Sequence, residues 1–223
     1  MTINDKDKPL LEKLLSNPEI ANAIDELNVQ DLLSKIKMFV SDNTELSRVM
    51  ELYEEILQLI VDDVGGQYFI DNIKSSSKKI SLSDLSFDSP IVVRDDRFEF
   101  IFRFCEFNKG ITFDCETMNL SALDMSTVYG NLVLTDKCKL IYNRALNVSD
   151  LSICNIYIPK SVKRIGKLSP NAYTKNVRII YEGSKNQFSQ IDSNNLLTFD
   201  PKVDKFNLIF ESELPITKVT GFC

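Results

Sequence analysis

An α+β architecture is predicted for this 223-residue chain: a helical domain over residues 1–78, forming a bundle or cap, then a short, irregular β-solenoid over residues 79–223 with an irregular C-terminal cap. Three observations carry the prediction. Up to about residue 73 the apolar residues recur at steps of three and four. After Ile80 they alternate instead. The short alternating runs then return at a nearly constant interval, which marks a repeat array rather than an isolated hairpin.

The helical elements come first. Asn17-Pro18-Glu19 reads as a helix start, with a capping side chain, proline in the first turn and an acid beside it; Ile20, Ala23, Ile24 and Leu27 then share one face. A second stripe runs through Val29, Leu32, Leu33, Ile36 and Val40. The longest helix is expected from about Thr44 to Val64, with Leu46, Val49, Met50, Tyr53, Ile56, Leu57, Ile60, Val61 and Val64 at helical spacing, ended by Gly65-Gly66. A short helix from Gln67 to Lys74 leads into Ser75-Ser76-Ser77-Lys78-Lys79, a polar boundary. The acid pairs Glu54-Glu55 and Asp62-Asp63 fall on the polar side of the long helix, where neighbours diverge, so a solvated face is expected there. Repeat arrays need their apolar ends covered, and capping is the role expected of these helices.

The strands follow. Alternating runs start at Ile91, Ile111, Leu132, Ile156, Ile179 and Leu208, with intervals of 20, 21, 24, 23 and 29 residues. A second pattern, apolar-Ser-x-Leu-x-apolar, occurs at Leu82–Phe87, Leu120–Met125 and Val148–Ile153 and is expected to run in phase with the first. In a solenoid each rung turns alternate side chains inward and covers the apolar edge of the next. Parity then places Ile111, Phe113 and Cys115 inside, together with Cys154, Ile156 and Ile158. Both cysteines read as small core residues rather than nucleophiles.

Phe113 to Leu123, FDCETMNLSAL, followed by Val128 to Leu140, VYGNLVLTDKCKL, resembles the short leucine-rich repeats of bacterial and phage proteins, with their F-x-C-x-x-N-x-L-x-x-L rung and V-x-G turn. The stretches IYIPKSVKRIG, from Ile156, and IIYEGSKNQFSQI, from Ile179, resemble rungs and the closing segment of the BspA-like subtype. The resemblance covers roughly residues 82–191, and it departs from the pattern at Asn119, which falls one place later than the motif's asparagine, in the aromatic-rich rung of residues 97–108 and in the long last interval. It implies a leucine-rich-repeat-like solenoid that binds other macromolecules, and it carries over no catalytic residue and no cofactor.

Composition narrows the function classes. With 43% hydrophobic residues and 26% charged residues that read as mixed along the chain, a folded core is expected rather than disorder. The net charge of -6 and pI near 4.9 disfavour nucleic acid as a partner, and Lys160, Lys163, Arg164 and Lys167 read as a solvated face. Five cysteines without a C-x-x-C pair fit neither a disulfide framework nor a zinc cluster. No basic-then-apolar leader or membrane-length apolar run is present, so a cytoplasmic protein is expected. The chain contains no histidine, which removes Ser-His-Asp and Cys-His nucleophiles and histidine metal sites. For an enzyme only fragments remain, Asp95-Asp96 and Glu182-x-x-Lys185, so no catalytic residue, cofactor or metal is assigned.

The outward positions between each inward pair are Val92, Thr112, Val133, Tyr157, Ile180 and Ile209, a row unusually apolar for a solvated sheet. Arg94, Asp114, Thr135, Glu182 and Glu211 would form its polar rim. The row is the expected partner-binding site, unless the N-terminal helices or a C-terminal segment fold over it. The leading expectation is a non-enzymatic protein-interaction scaffold, encoded by a phage or mobile element, that binds or inhibits a host or partner protein. The alternative is a structural component of a larger particle, and a carboxylate-dependent or metal-dependent enzyme stands third.

Overall fold

A computed structural model describes residues 8–40, 46–94, 98–119, 121–142, 145, 155–166, 177–191 and 206–210. Among the described residues five helices come first: α1 (Lys8–Leu15), α2 (Pro18–Asp25), α3 (Val29–Phe39), α4 (Leu46–Val64) and α5 (Gly66–Asn72). The Asn17 side chain accepts from the Glu19 and Ile20 amides at 3.0 and 3.2 Å, which satisfies two otherwise orphaned donors at the start of α2. Asn28 caps α3 in the same way through the Asp31 amide. The apolar stripes are buried, including Ile20, Ala23, Leu32, Ile36, Leu52, Ile56 and Leu57, while Ile24 is half-buried. The end of the helical region is tied to its middle, because Lys74 N–H donates to Leu27 C=O and Val29 N–H donates to Lys74 C=O.

The strands then coil. They are β1 (Lys79–Ser83), β2 (Ser86–Phe87), β3 (Ile91–Val93), β4 (Glu99–Arg103), β5 (Glu106–Phe107), β6 (Ile111–Phe113), β7 (Thr117–Met118), β8 (Leu123–Asp124), β9 (Thr127–Val128), β10 (Asn131–Leu134), β11 (Leu140–Ile141), β12 (Asn155–Ile158), β13 (Arg164–Ile165), β14 (Val177–Tyr181) and, after the short helix α6 (Lys185–Phe188), β15 (Phe206–Phe210). A six-stranded sheet has the order β15-β14-β12-β10-β6-β3, and three narrow ladders, β1-β4-β8, β2-β5-β9 and β7-β11-β13, form the other sides of the coil. Every strand pair is parallel. The chain is therefore a helical region followed by a parallel β-solenoid.

The register of the large sheet aligns the six run starts, Ile91, Ile111, Leu132, Ile156, Ile179 and Leu208, side by side. The longer intervals are thus absorbed outside this sheet. Its inward residues, Ile91, Val93, Ile111, Phe113, Leu132, Leu134, Ile156, Ile158, Ile179 and Tyr181, are all buried.

Rung corners repeat as well. Asp84, Phe104 and Met125 have left-handed φ of 58, 54 and 54°, and the registers of β1, β4 and β8 put them at equivalent places on successive rungs. Non-glycine residues rarely adopt this conformation, and here it turns each rung from one ladder into the next. Between rungs the buried Ser126 hydroxyl accepts from the Cys105 amide and donates to Phe102 C=O, filling a corner with a satisfied polar group. Gly110, at φ 86°, permits a close approach of neighbouring rungs, since a Cβ there would stand 2.5 Å from the Asn131 carbonyl oxygen.

One expectation is corrected. The apolar-Ser-x-Leu-x-apolar pattern is not in phase with the sheet. Leu82 stands beside Phe102, and Phe102 beside Leu123, so the first leucine of one copy stacks over the second leucine of the next. The reason is arithmetic: Leu82 to Leu120 spans 38 residues, whereas the sheet run from Ile91 to Leu132 spans 41. The aromatic-rich stretch, which departs from the leucine-rich pattern, forms β4 and β5 of the coil. Phe100, Phe102 and Phe107 are buried, with Phe87 stacked on Phe107 and both packed edge-on against Phe102, so aromatic volume fills this part of the coil. The third copy of the pattern, Val148–Ile153, and Cys154 lie outside the described residues, and Cys115 is buried.

The helices close the first rung through specific bonds. Gln67 lies beside the free edge of β3; its side-chain amide donates to Val92 C=O at 2.9 Å, and its carbonyl oxygen accepts from Val92 N–H at 2.6 Å. Gln58 does the same for β2, donating to Ser86 C=O at 3.1 Å and accepting from Ser86 N–H at 2.8 Å. Each glutamine thus replaces one residue of a missing strand and blunts an edge that would otherwise template pairing. Helix α5 seats on the same rung. A Cβ at Gly66 would stand 2.8 Å from Phe87 and 3.0 Å from Ile91, and the buried residues form one continuous core from Leu11 to Phe210.

Candidate interaction surface

The register brings the six outward residues into one row: Val92 beside Thr112, Thr112 beside Val133, Val133 beside Tyr157, Tyr157 beside Ile180, and Ile180 beside Ile209. All six are half-buried, the exposure expected of a row whose flanks lean on its neighbours and whose tips face outward. Helix α5 meets the sheet at its β3 edge, through the Gln67 amide and an ion pair of Asp71 with Arg94 at 3.5 Å. Among the described residues, the helices sit at that edge and leave the row partly open.

Polar residues border the row on both sides. On one side Lys137 Nζ lies 2.7 Å from Asp114 Oδ2 and Thr135 donates to Asp114 Oδ1 at 2.6 Å. These two donors hold the Asp114 carboxyl below its usual range. One rung on, Lys160 Nζ lies 3.3 Å from Glu182 Oε1, and the Lys160 amide donates to Glu182 Oε2 at 3.0 Å. The Glu182 fragment is therefore spent on holding the neighbouring rung. In the pair with Asp114 the cation is 61% exposed against 23% for the acid, and in the pair with Glu182 62% against 33%, so each pair is neutral overall with its cation as the more exposed member. On the other side Asn155 donates to Asn131 Oδ1, and Arg178 is exposed beside them. Asp95-Asp96 and Glu211 lie outside the described residues.

The division of charge between the two regions went unread in the sequence, where charge was treated as mixed. Residues 1–78 carry 8 Lys and Arg against 15 Asp and Glu, which leaves 18 against 17 for residues 79–223. The acidity of the chain belongs to its helical region. The signal that could have exposed it was a charge count taken separately on each side of the boundary.

Elsewhere the titratable groups serve the core. Burial pushes the Cys105 thiol up to about 12 and the Cys138 thiol to about 11, so neither is a thiolate at neutral pH. Glu54 on α4 is raised to about 7 by burial, with the charges of Asp84 and Glu51 adding to it. A cavity of about 280 Å³ lies between β3, β4, β6 and β7, lined by Val93, Phe98, Phe113, Cys115, Thr117 and Tyr142 among others. The Cys115 thiol donates to Thr117 C=O at its wall. Among the described residues no group of three or more His, Cys, Asp and Glu is arranged to hold a metal ion, and no helix is long and apolar enough to cross a membrane.

Comparison with protein-family models, with curated proteins and with solved structures returns no match for the chain.

Proposed function

We propose that the chain is a non-enzymatic interaction scaffold whose six-stranded face binds a protein partner, with the helical region as its N-terminal cap. The observation that carries this reading is the row Val92-Thr112-Val133-Tyr157-Ile180-Ile209, which the register assembles from six separate rungs into one half-exposed, largely apolar strip. An isolated apolar residue on a surface needs no explanation, but a continuous strip bounded by polar rims is the build of a recognition face. The hydrogen-bonded coil beneath fixes the strip in place, so little conformational entropy is lost on binding. The leucine-rich-repeat resemblance points to the same class. A phage or mobile element as the source and action in the cytoplasm of a host cell complete the proposal.

The test is capture on the immobilised full chain, with a double variant, Tyr157→Ala with Ile180→Asp, beside the wild type. Specific capture by the wild type that the double variant loses is the expected result, with unchanged urea unfolding showing that the variant is folded. Equal capture by both chains would remove the face from the mechanism.

A further inference from the structure

The interaction reading leaves the occupant of the face open, and its dimensions and charge narrow it. We infer that the face accepts a single amphipathic α-helix with acidic flanks from a partner protein, lying across the strands along the row.

Size comes first. Six strands about 4.8 Å apart give the row a length of about 24 Å, and rims two residues to either side stand about 13 Å apart. The patch is therefore about 300 Å². A stable dimer buries about 800 Å² on each partner, so a second copy of this chain docked face to face would find too little surface here. One helix, about 10 Å across, fits between the rims, and about 16 helical residues match the length of the row.

Pitch comes second. Side chains on one helix face, at alternating steps of three and four residues, recur about every 5.3 Å along the axis, close to the 4.8 Å between strands. Over five steps the mismatch is about 2 Å. An extended peptide crossing the strands presents a side chain to the face about every 6.7 Å and slips by about 9 Å over the same five steps. The helix can engage the row through its whole length; the extended chain cannot.

Charge comes third. The more exposed members of the rim pairs are Lys137 and Lys160, with Arg94, itself paired with Asp71, beyond them and Arg178 on the opposite side, while Asp114 and Glu182 are the less exposed members. A helix seated between these rims meets ion pairs with their cations outermost on one flank and Arg178 on the other. Acidic residues beside its apolar stripe complement them, and basic residues are repelled.

The inference rests on the proposed interaction role, and the experiment separates the two. Three fluorescein-labelled 16-residue peptides are titrated with the full chain by anisotropy: one with leucines at helical spacing and glutamate flanks, one with the same leucines and lysine flanks, and one with the first composition rearranged to strict alternation. The acidic helical peptide is expected to saturate, with each of the others weaker by about tenfold or more. Tyr157→Asp should abolish its binding, and Lys137→Ala with Lys160→Ala should weaken it about fivefold. Equal affinity for all three peptides, preference for the alternating or the lysine-flanked one, absence of saturable binding, or indifference to Tyr157→Asp would overturn the helical acidic occupant. So would sedimentation showing a dimer that Tyr157→Asp dissolves. If capture of a protein depends on Tyr157 while the peptides show no preference, the interaction role stands and this inference alone falls.

Discussion

Replacing Gln67 with leucine removes the side chain that stands in for a missing strand, and the cost can be worked from its two bonds. The amide donates to Val92 C=O at 2.9 Å and the carbonyl accepts from Val92 N–H at 2.6 Å. Leucine keeps the bulk and loses both, leaving two backbone groups of a half-buried residue unpaired. A buried orphan costs about 1–3 kcal/mol, and partial access of water to Val92 favours the low end, so the pair should cost about 2 kcal/mol. For a chain of this size that lowers Tm by about 4–8 °C. Urea unfolding of Gln67→Leu, Gln58→Leu and the double variant reads the loss, and hydrogen exchange at the Val92 and Ser86 amides shows whether it sits at the edge. The glutamines hold separate strands, so their losses should add to within about 0.5 kcal/mol. The double variant should also aggregate faster, because both first-rung edges are then open to pairing. Stability of Gln67→Leu within about 0.5 kcal/mol of wild type, with Val92 exchange unchanged, would refute the strand-replacement argument.

Other outcomes follow from the same packing. Glu54 has a folded pKa raised to about 7, so it adds most to stability below its unfolded value, near 4.5, and that contribution is lost as pH rises through about 7. After screening, Glu54→Gln should gain about 1–2 kcal/mol at pH 8 and flatten the decline between pH 5 and 7 in urea melts, with Asp84 and Glu51 no longer opposed by a charge. Phe102→Ala, in contact with three other phenylalanine rings, should cost about 3–5 kcal/mol by the same measurement. Gly66→Val puts a branched side chain where even a Cβ meets Phe87 and Ile91, and should loosen the cap, seen as earlier proteolysis near Ser75 to Lys79. Cys105 and Cys138, held as thiols by burial, should react with a thiol reagent at pH 8 only as fast as the protein opens.

Much of this architecture was legible because it is periodic. The change from helical to alternating spacing near Ile80 coincides with the passage from helices to strands, and six short runs at related intervals yielded a coil whose register aligns those same residues. Parity alone assigned Ile111, Phe113 and Cys115 to the interior. It failed where two patterns had to be phased against each other: the leucine pairs repeat at 38 residues and the sheet at 41, and only hydrogen-bond registration shows which period the corners follow. The left-handed corner at Asp84, Phe104 and Met125 carries no common residue type, so no motif announces it.

By itself the sequence determined the period, and with it which side chains face in and which face out, because alternation in a strand is a property of the chain. Tertiary structure alone decided which side chains the outward and rim residues bond. Lys137 reaches Asp114 across 23 positions, Lys160 reaches Glu182 across 22, and Gln67 reaches Val92 across 25. Such contacts depend on how rungs stack and where the cap seats, distances that local spacing does not encode. The row was therefore readable as a list of residues, while the ion pairs along its rim, its width and the glutamines that close its end emerged only once the coil was wound.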